Sequence, residues 1–121
     1  MENNWKTNHI DLKNVLTISR GDNERILKYL NQFKELIPDR LYLLKQALFL
    51  EDRTQIRQVL HKMSPQLQFF GIQGITTPVQ RLEFEYKTMP FSEMEVLVNN
   101  IITNLEEALL EVKATIVTYS K

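Results

Sequence analysis

Few side chains in this sequence could do chemistry. Cysteine is absent, so there is no thiolate nucleophile, no thiolate metal cage and no disulfide framework. The two histidines, His9 and His61, are too few for the commonest zinc sites. The stretch Gly71-Ile72-Gln73-Gly74 lacks the further glycines and the Lys-Ser/Thr pair that cradle a nucleotide phosphate. Aspartates and glutamates fall mainly at the starts of apolar-periodic segments, where capping accounts for them. The run Glu106-Glu107 with Glu111 reads as a solvated helix face, and His9 as an ordinary residue flanking the first helix. Tyr29, Tyr42 and Trp5 have no constellation around them. What stays is one imidazole, His61, in the middle of a long periodic segment. Near pH 7 an imidazole in water is largely neutral, with one ring nitrogen free as a nucleophile. The elements that must position it are the next question.

With 121 residues, 43% of them hydrophobic and 25% charged, residues 1–121 read as a single domain with a core of its own. Three glycines and four prolines cannot supply the turns of an all-β domain. Fifteen basic residues balance fifteen acidic ones, which argues against nucleic acid and against an anionic membrane surface as partners. The start MENNWKTN has neither the basic nor the apolar character of a signal peptide, and no run approaches the roughly 18 apolar residues of a membrane span. A soluble domain of a reducing compartment is expected.

The punctuation predicts helices one after another. Asp11 is placed to cap a short first helix, with Ile10 and Val15 spaced as a hydrophobic staple and Gly21 at its end. Asp22 caps a second, whose Ile26, Leu30, Phe33 and Ile37 recur at helical spacing. Pro38-Asp39 is expected to break it and start a third, with Leu41, Leu44 and Leu48 on one face. Asp52 with Gln55 resembles a capping box opening a fourth helix that runs to about Phe70, with Gly71 where a left-handed residue would end it. Thr77-Pro78-Val79-Gln80 predicts an N-cap at Thr77 and a fifth helix burying Val79, Leu82 and Tyr86, ended by Pro90. Ser92 and Glu95 predict a further capping box, with Phe91 and Val96 as its staple, and a long last helix to about Tyr119. The fold class is therefore all-α: an up-and-down antiparallel four-helix bundle with a short extra N-terminal helix.

The helix from Asp52 buries Ile56, Val59, Leu60, Met63, Leu67 and Phe70, which fall within an arc of roughly 100°. His61 lies about 150° from the centre of that arc and is expected to face water from mid-helix. Its neighbours within two turns on that face, Arg57, Gln58, Ser64, Pro65 and Gln68, include no carboxylate to orient it, so the ring is expected to be left open.

The segment Leu60-His61-Lys62-Met63-Ser64-Pro65-Gln66-Leu67-Gln68-Phe69-Phe70-Gly71 resembles the phospho-accepting segment of histidine phosphotransfer (HPt) domains. That pattern has an apolar residue two after the histidine, usually lysine at three, glycine or proline at four and glycine at ten; here these are Met63, Ser64, Pro65 and Gly71. Gly21-Asp22, Phe33, Pro38, Ala47-Leu48, Asp52 and Leu82-Glu83 fall where the family has similar residues, so the likeness covers nearly the whole chain.

The resemblance implies a four-helix bundle in which His61 accepts a phosphoryl group from a response-regulator receiver aspartate and relays it to another receiver. It implies a carrier and not an independent enzyme, with no cofactor of its own and Mg²⁺ on the receiver. The implied partners are receivers and a sensor histidine kinase, and the implied location is cytoplasmic, either alone or as the cytoplasmic end of a membrane-bound hybrid sensor kinase. Ser64 replaces the family lysine, and Gln68 the small residue common at seven. The Ser64 hydroxyl and Gln68 amide are then expected to supply neutral hydrogen bonds to the phosphoryl oxygens, with diffuse charge from Lys62 or Arg57. Phe69 either joins a docking patch or packs beneath the following loop. Pro65 either bends the helix at His61 or is tolerated on an exposed face. Two further readings stand beside the carrier: a degenerate module that binds receivers without accepting phosphate, and a generic helical adaptor.

Overall fold

The computed structural model describes residues 9–72 and 74–121; the MENNWKTN segment with its Trp5, and Gln73, lie outside them. The described residues form five α-helices and no strand: α1 (Lys13–Ser19), α2 (Asn23–Phe49), α3 (Arg53–Phe69), α4 (Thr76–Glu85) and α5 (Phe91–Tyr119). Helix α2 packs against α1, α3 and α5, and α4 packs against α3 and α5.

The largest departure from the expected elements is at Pro38, which lies inside α2 and does not break it. The buried stripe Ile26, Leu30, Phe33, Ile37, Leu41, Leu44 and Ala47 runs through the proline without losing phase. A proline costs about 3 kcal/mol inside a helix. Burying Leu41 and Leu44 contributes about 1.5–3 kcal/mol each, and a break would turn both away from the core. Pro38 is exposed, so the carbonyl it strands can turn to water.

Local capping chemistry holds at some helix starts and fails at others. The Asp22 carboxylate accepts from the Glu24 N–H at 3.0 Å and the Asp52 carboxylate from the Gln55 N–H at 3.0 Å. Asp11 accepts from the Lys13 N–H at 2.9 Å, one residue ahead of the N-cap position at Leu12, while Ile10 and Val15 are both buried. Helix α1 ends at Ser19, ahead of left-handed Arg20 and Gly21.

Helix α4 begins at Thr76 after Ile75, without the side-chain cap expected from Thr77, and stops at Glu85, well before Pro90. Tyr86 is half-buried. Helix α5 begins at Phe91 with Pro90 as N-cap, the Ser92 box does not form, and Val96 is 59% exposed, so the staple is absent. A long-range contact closes this turn instead: Arg53 Nη1 donates to the carbonyls of Tyr86 (3.0 Å) and Met89 (2.6 Å), with its guanidinium 5.7 Å from the Phe91 ring centroid.

One core cluster joins all five helices, including the whole stripe predicted for α3 and Met94, Val98, Ile101, Leu105, Ala108 and Val112 of α5. Gly71 ends α3 at φ +56°, and a Cβ there would lie 2.7 Å from Asp11 Cβ. The Asp11 N–H donates to the Phe70 carbonyl at 2.8 Å, so the close approach is held by a backbone bond. Gly71→Ala is expected to lose roughly 1–2 kcal/mol from the left-handed backbone alone, plus the clash. Urea unfolding checks it; a change below about 0.5 kcal/mol would mean that the segment at Asp11 does not pack as described.

Candidate functional site

Helix α3 presents His61 opposite its buried stripe, and the imidazole side chain is 61% exposed. The ring is not left open, however. Its Nδ1 lies 3.0 Å from Glu83 Oε1, contributed by α4. An ionised carboxylate can only accept, so in the neutral ring this contact selects the tautomer with the hydrogen on Nδ1 and the lone pair on Nε2. This corrects the expectation of an unoriented ring: the carboxylate missing from α3 comes from the neighbouring helix, and its own side chain is only 29% exposed.

Arg57 belongs to the same cluster. Its Nε is 3.9 Å from Glu83 Oε1, an ion pair without a hydrogen bond, and its guanidinium carbon sits 5.6 Å from the Tyr86 ring centroid. Buried Arg57 Nε makes no hydrogen bond. The order His61, Glu83, Arg57 therefore places one negative group between an imidazole and a cation, all at the α3–α4 seam.

Two grooves flank the α3 ridge. The first, of about 480 Å³ between α3 and α4, is lined by Ser64, Leu67, Gln68, Val79, Glu83 and Phe84 among others, and Phe84 is 87% exposed. Ser64 and Gln68 thus lie together on the Glu83 side of the ridge. The second, of about 730 Å³ between α2 and α3, is lined by Tyr29, Leu36, Asp39, Pro65, Gln66 and Phe69 among others.

Phe69 is half-buried: it packs edge-on against Tyr29 of α2, centroids 5.3 Å apart, and lines the α2–α3 groove. Tyr29 in turn has the aromatic neighbour that its place in the sequence did not reveal. Pro65 sits exposed inside α3, which runs unbroken through it. Gln58 and Lys62 are exposed on the same helix and join no polar cluster among the described residues.

Glu83 is the residue that reasoning from α3 alone misses. A signal for it exists: in a helical hairpin, residues equally far from the turn face each other, and His61 and Glu83 are equally far from Ile72. His9 is the second surprise. Far from being an ordinary flanking residue, it contacts Glu107 and Glu111 on α5, so those carboxylates are not merely a solvated face. Glu106 is likewise paired, with Lys45 of α2 at 2.8 Å.

No helix among the described residues is long and apolar enough to cross a membrane. No protein-family model matches the chain, and neither a curated protein nor a solved structure matches it significantly.

Proposed function

We propose that the chain is a phosphoryl carrier of the histidine phosphotransfer type, with His61 as acceptor. The single observation that carries the reading is the His61–Glu83 pair on an exposed ridge. It supports a nucleophilic Nε2 that projects toward a docking partner while Nδ1 is held from behind.

In the proposed step the Nε2 lone pair attacks the phosphorus of a receiver aspartyl phosphate. A P–N bond forms, the P–O bond to the aspartate breaks, and the aspartate leaves as its carboxylate. The proton on Nδ1 stays, so the imidazole ring gains positive charge, which the Glu83 carboxylate offsets. Mg²⁺ and the in-line geometry are assigned to the receiver. In this reading Ser64 and Gln68, which line the groove beside Glu83, supply neutral donors, and exposed Phe84 supplies an apolar contact to the docking partner.

The bundle architecture belongs to the same proposal. Contacts run from α2 to α3, α3 to α4, α4 to α5 and α5 back to α2. That closed ring, with short connections between α2, α3, α4 and α5, favours an antiparallel up-and-down bundle with α1 as the added N-terminal helix. The proposed setting is a cytoplasmic phosphorelay between receivers and a sensor histidine kinase.

The test is transfer from a panel of phosphorylated receivers with Mg²⁺. The expected product is acid-labile, alkali-stable label on the wild-type chain and none on His61→Gln. Label that persists in His61→Gln overturns the assignment. Receiver binding without label supports the degenerate module instead, a reading that Ser64 in place of the family lysine favours.

A further inference from the structure

The His9 contacts lie apart from the proposed acceptor site and follow a different logic. Nε2 is 2.7 Å from Glu107 Oε1, Nδ1 meets Glu111 Oε2, and the His9 backbone N–H donates to Glu111 Oε1 at 3.1 Å. Beyond it Ile10 is 3% exposed and the Asp11 N–H is bonded to the Phe70 carbonyl. Residues 9–12 thus lie as a strap tied to α5 at one end and to the end of α3 at the other.

We propose that His9 is a pH-sensitive latch: the imidazolium set between Glu107 and Glu111 holds this strap closed, and loss of its proton lets the strap open. A neutral imidazole has one N–H and can donate to only one of the two carboxylates; its other nitrogen would then turn a lone pair toward a carboxylate oxygen. Only the cation satisfies both.

The ionisable groups facing the ring among the described residues are Glu107 and Glu111, both from α5. On its own segment, Asp11 turns its carboxylate to the Lys13 N–H. The α3–α4 turn meets the strap through the Phe70 carbonyl and Gly71, neither of which titrates. The nearby Glu106 is engaged by Lys45.

The hydrogen bond to Glu111 is the main cause holding the His9 pKa above the usual imidazole value, opposed by partial burial and helped by the charges of Glu111 and Glu107. The sign follows. The latch contributes fully below the ordinary imidazole pKa, and its contribution is lost as pH rises through the raised folded value.

The consequence reaches the groove beside Glu83. Gly71 and Ile72 are among the residues that line it, and the strap packs closely against Gly71 through Asp11. Opening the strap removes that support.

Two measurements on the whole chain test the latch. Imidazole NMR titration, with His61→Gln used only to assign the two rings, is expected to show His9 titrating above free imidazole. Hydrogen exchange of the Asp11 amide, corrected for intrinsic pH dependence, is expected to be most protected at about pH 5–6, on the acid side of the imidazole range and above the usual carboxylate range. Its protection is expected to fall by about tenfold for each pH unit separating the closed and open His9 pKa values.

Glu111→Gln is expected to bring His9 back toward its ordinary value and flatten the exchange profile. His9→Gln is expected to give low protection at every pH. A His9 that titrates at or below the free value overturns the proposal, as does Asp11 protection that ignores pH or keeps the wild-type profile in His9→Gln. None of these readouts depends on phosphotransfer.

Discussion

Removing the Glu83 carboxylate is expected to slow phosphoryl transfer onto His61 by about 10–100-fold in Glu83→Ala, with receiver affinity nearly unchanged. Two losses combine. Without an acceptor at Nδ1 the ring populates both tautomers, and in one of them Nε2 carries the hydrogen and cannot attack. The positive charge that builds on the ring then also goes uncompensated. Hydrogen bonds to charged groups contribute about 1.5–3 kcal/mol, equivalent to roughly 10–150-fold in rate. The 61% exposure of the His61 side chain draws the effect toward the lower end, because water screens the pair. Glu83→Gln separates the two losses: its amide oxygen still accepts from Nδ1–H, so the tautomer survives while the charge does not, and its rate should fall between wild type and Glu83→Ala. Single-turnover transfer at saturating receiver measures all three chains. A Glu83→Ala rate equal to wild type would remove Glu83 from the site and leave the ring without an orienting carboxylate among the described residues.

The second large effect concerns the scaffold. Phe33→Ala is expected to lower the unfolding free energy by about 3–5 kcal/mol, a large share of the roughly 5–15 kcal/mol available to a domain. Phe33 is 1% exposed, and its ring lies 4.5 Å from that of Phe70 at the end of α3. Phe70 meets Phe69 edge-on at 5.6 Å, and Phe69 meets Tyr29. This aromatic row joins α2 to the helix that carries His61, so its loss loosens the seat of the imidazole as well as the core. Phe84→Ala and Phe49→Ala are the contrast: these rings are 87% and 85% exposed, and truncating them should cost no more than about 0.5 kcal/mol. Urea midpoints for the three variants decide it; equal losses would mean that the burial pattern around Phe33 is not the one described.

The helical character of the chain, the buried stripe of α3, most of the apolar positions on either side of Pro38, the caps at Asp22 and Asp52, and the projection of His61 away from the core were legible in the sequence. These are properties of single helices. A 3.6-residue repeat and a carboxylate beside its own backbone N–H need no knowledge of what lies across the interface.

Tertiary structure decided whatever depended on a neighbour. Pro38 stays inside α2 because the core holds the stripe on both sides of it. The α4–α5 turn is closed by Arg53 and not by Ser92, because a guanidinium from another helix reaches the free carbonyls. His61 gains Glu83, and His9 gains Glu107 and Glu111, only when separate segments of the chain are set side by side in one fixed arrangement. The period of a helix says which side chains leave the core. Which charges meet there is set by the relative rotation and offset of two helices, and that is fixed by packing summed over the whole interface.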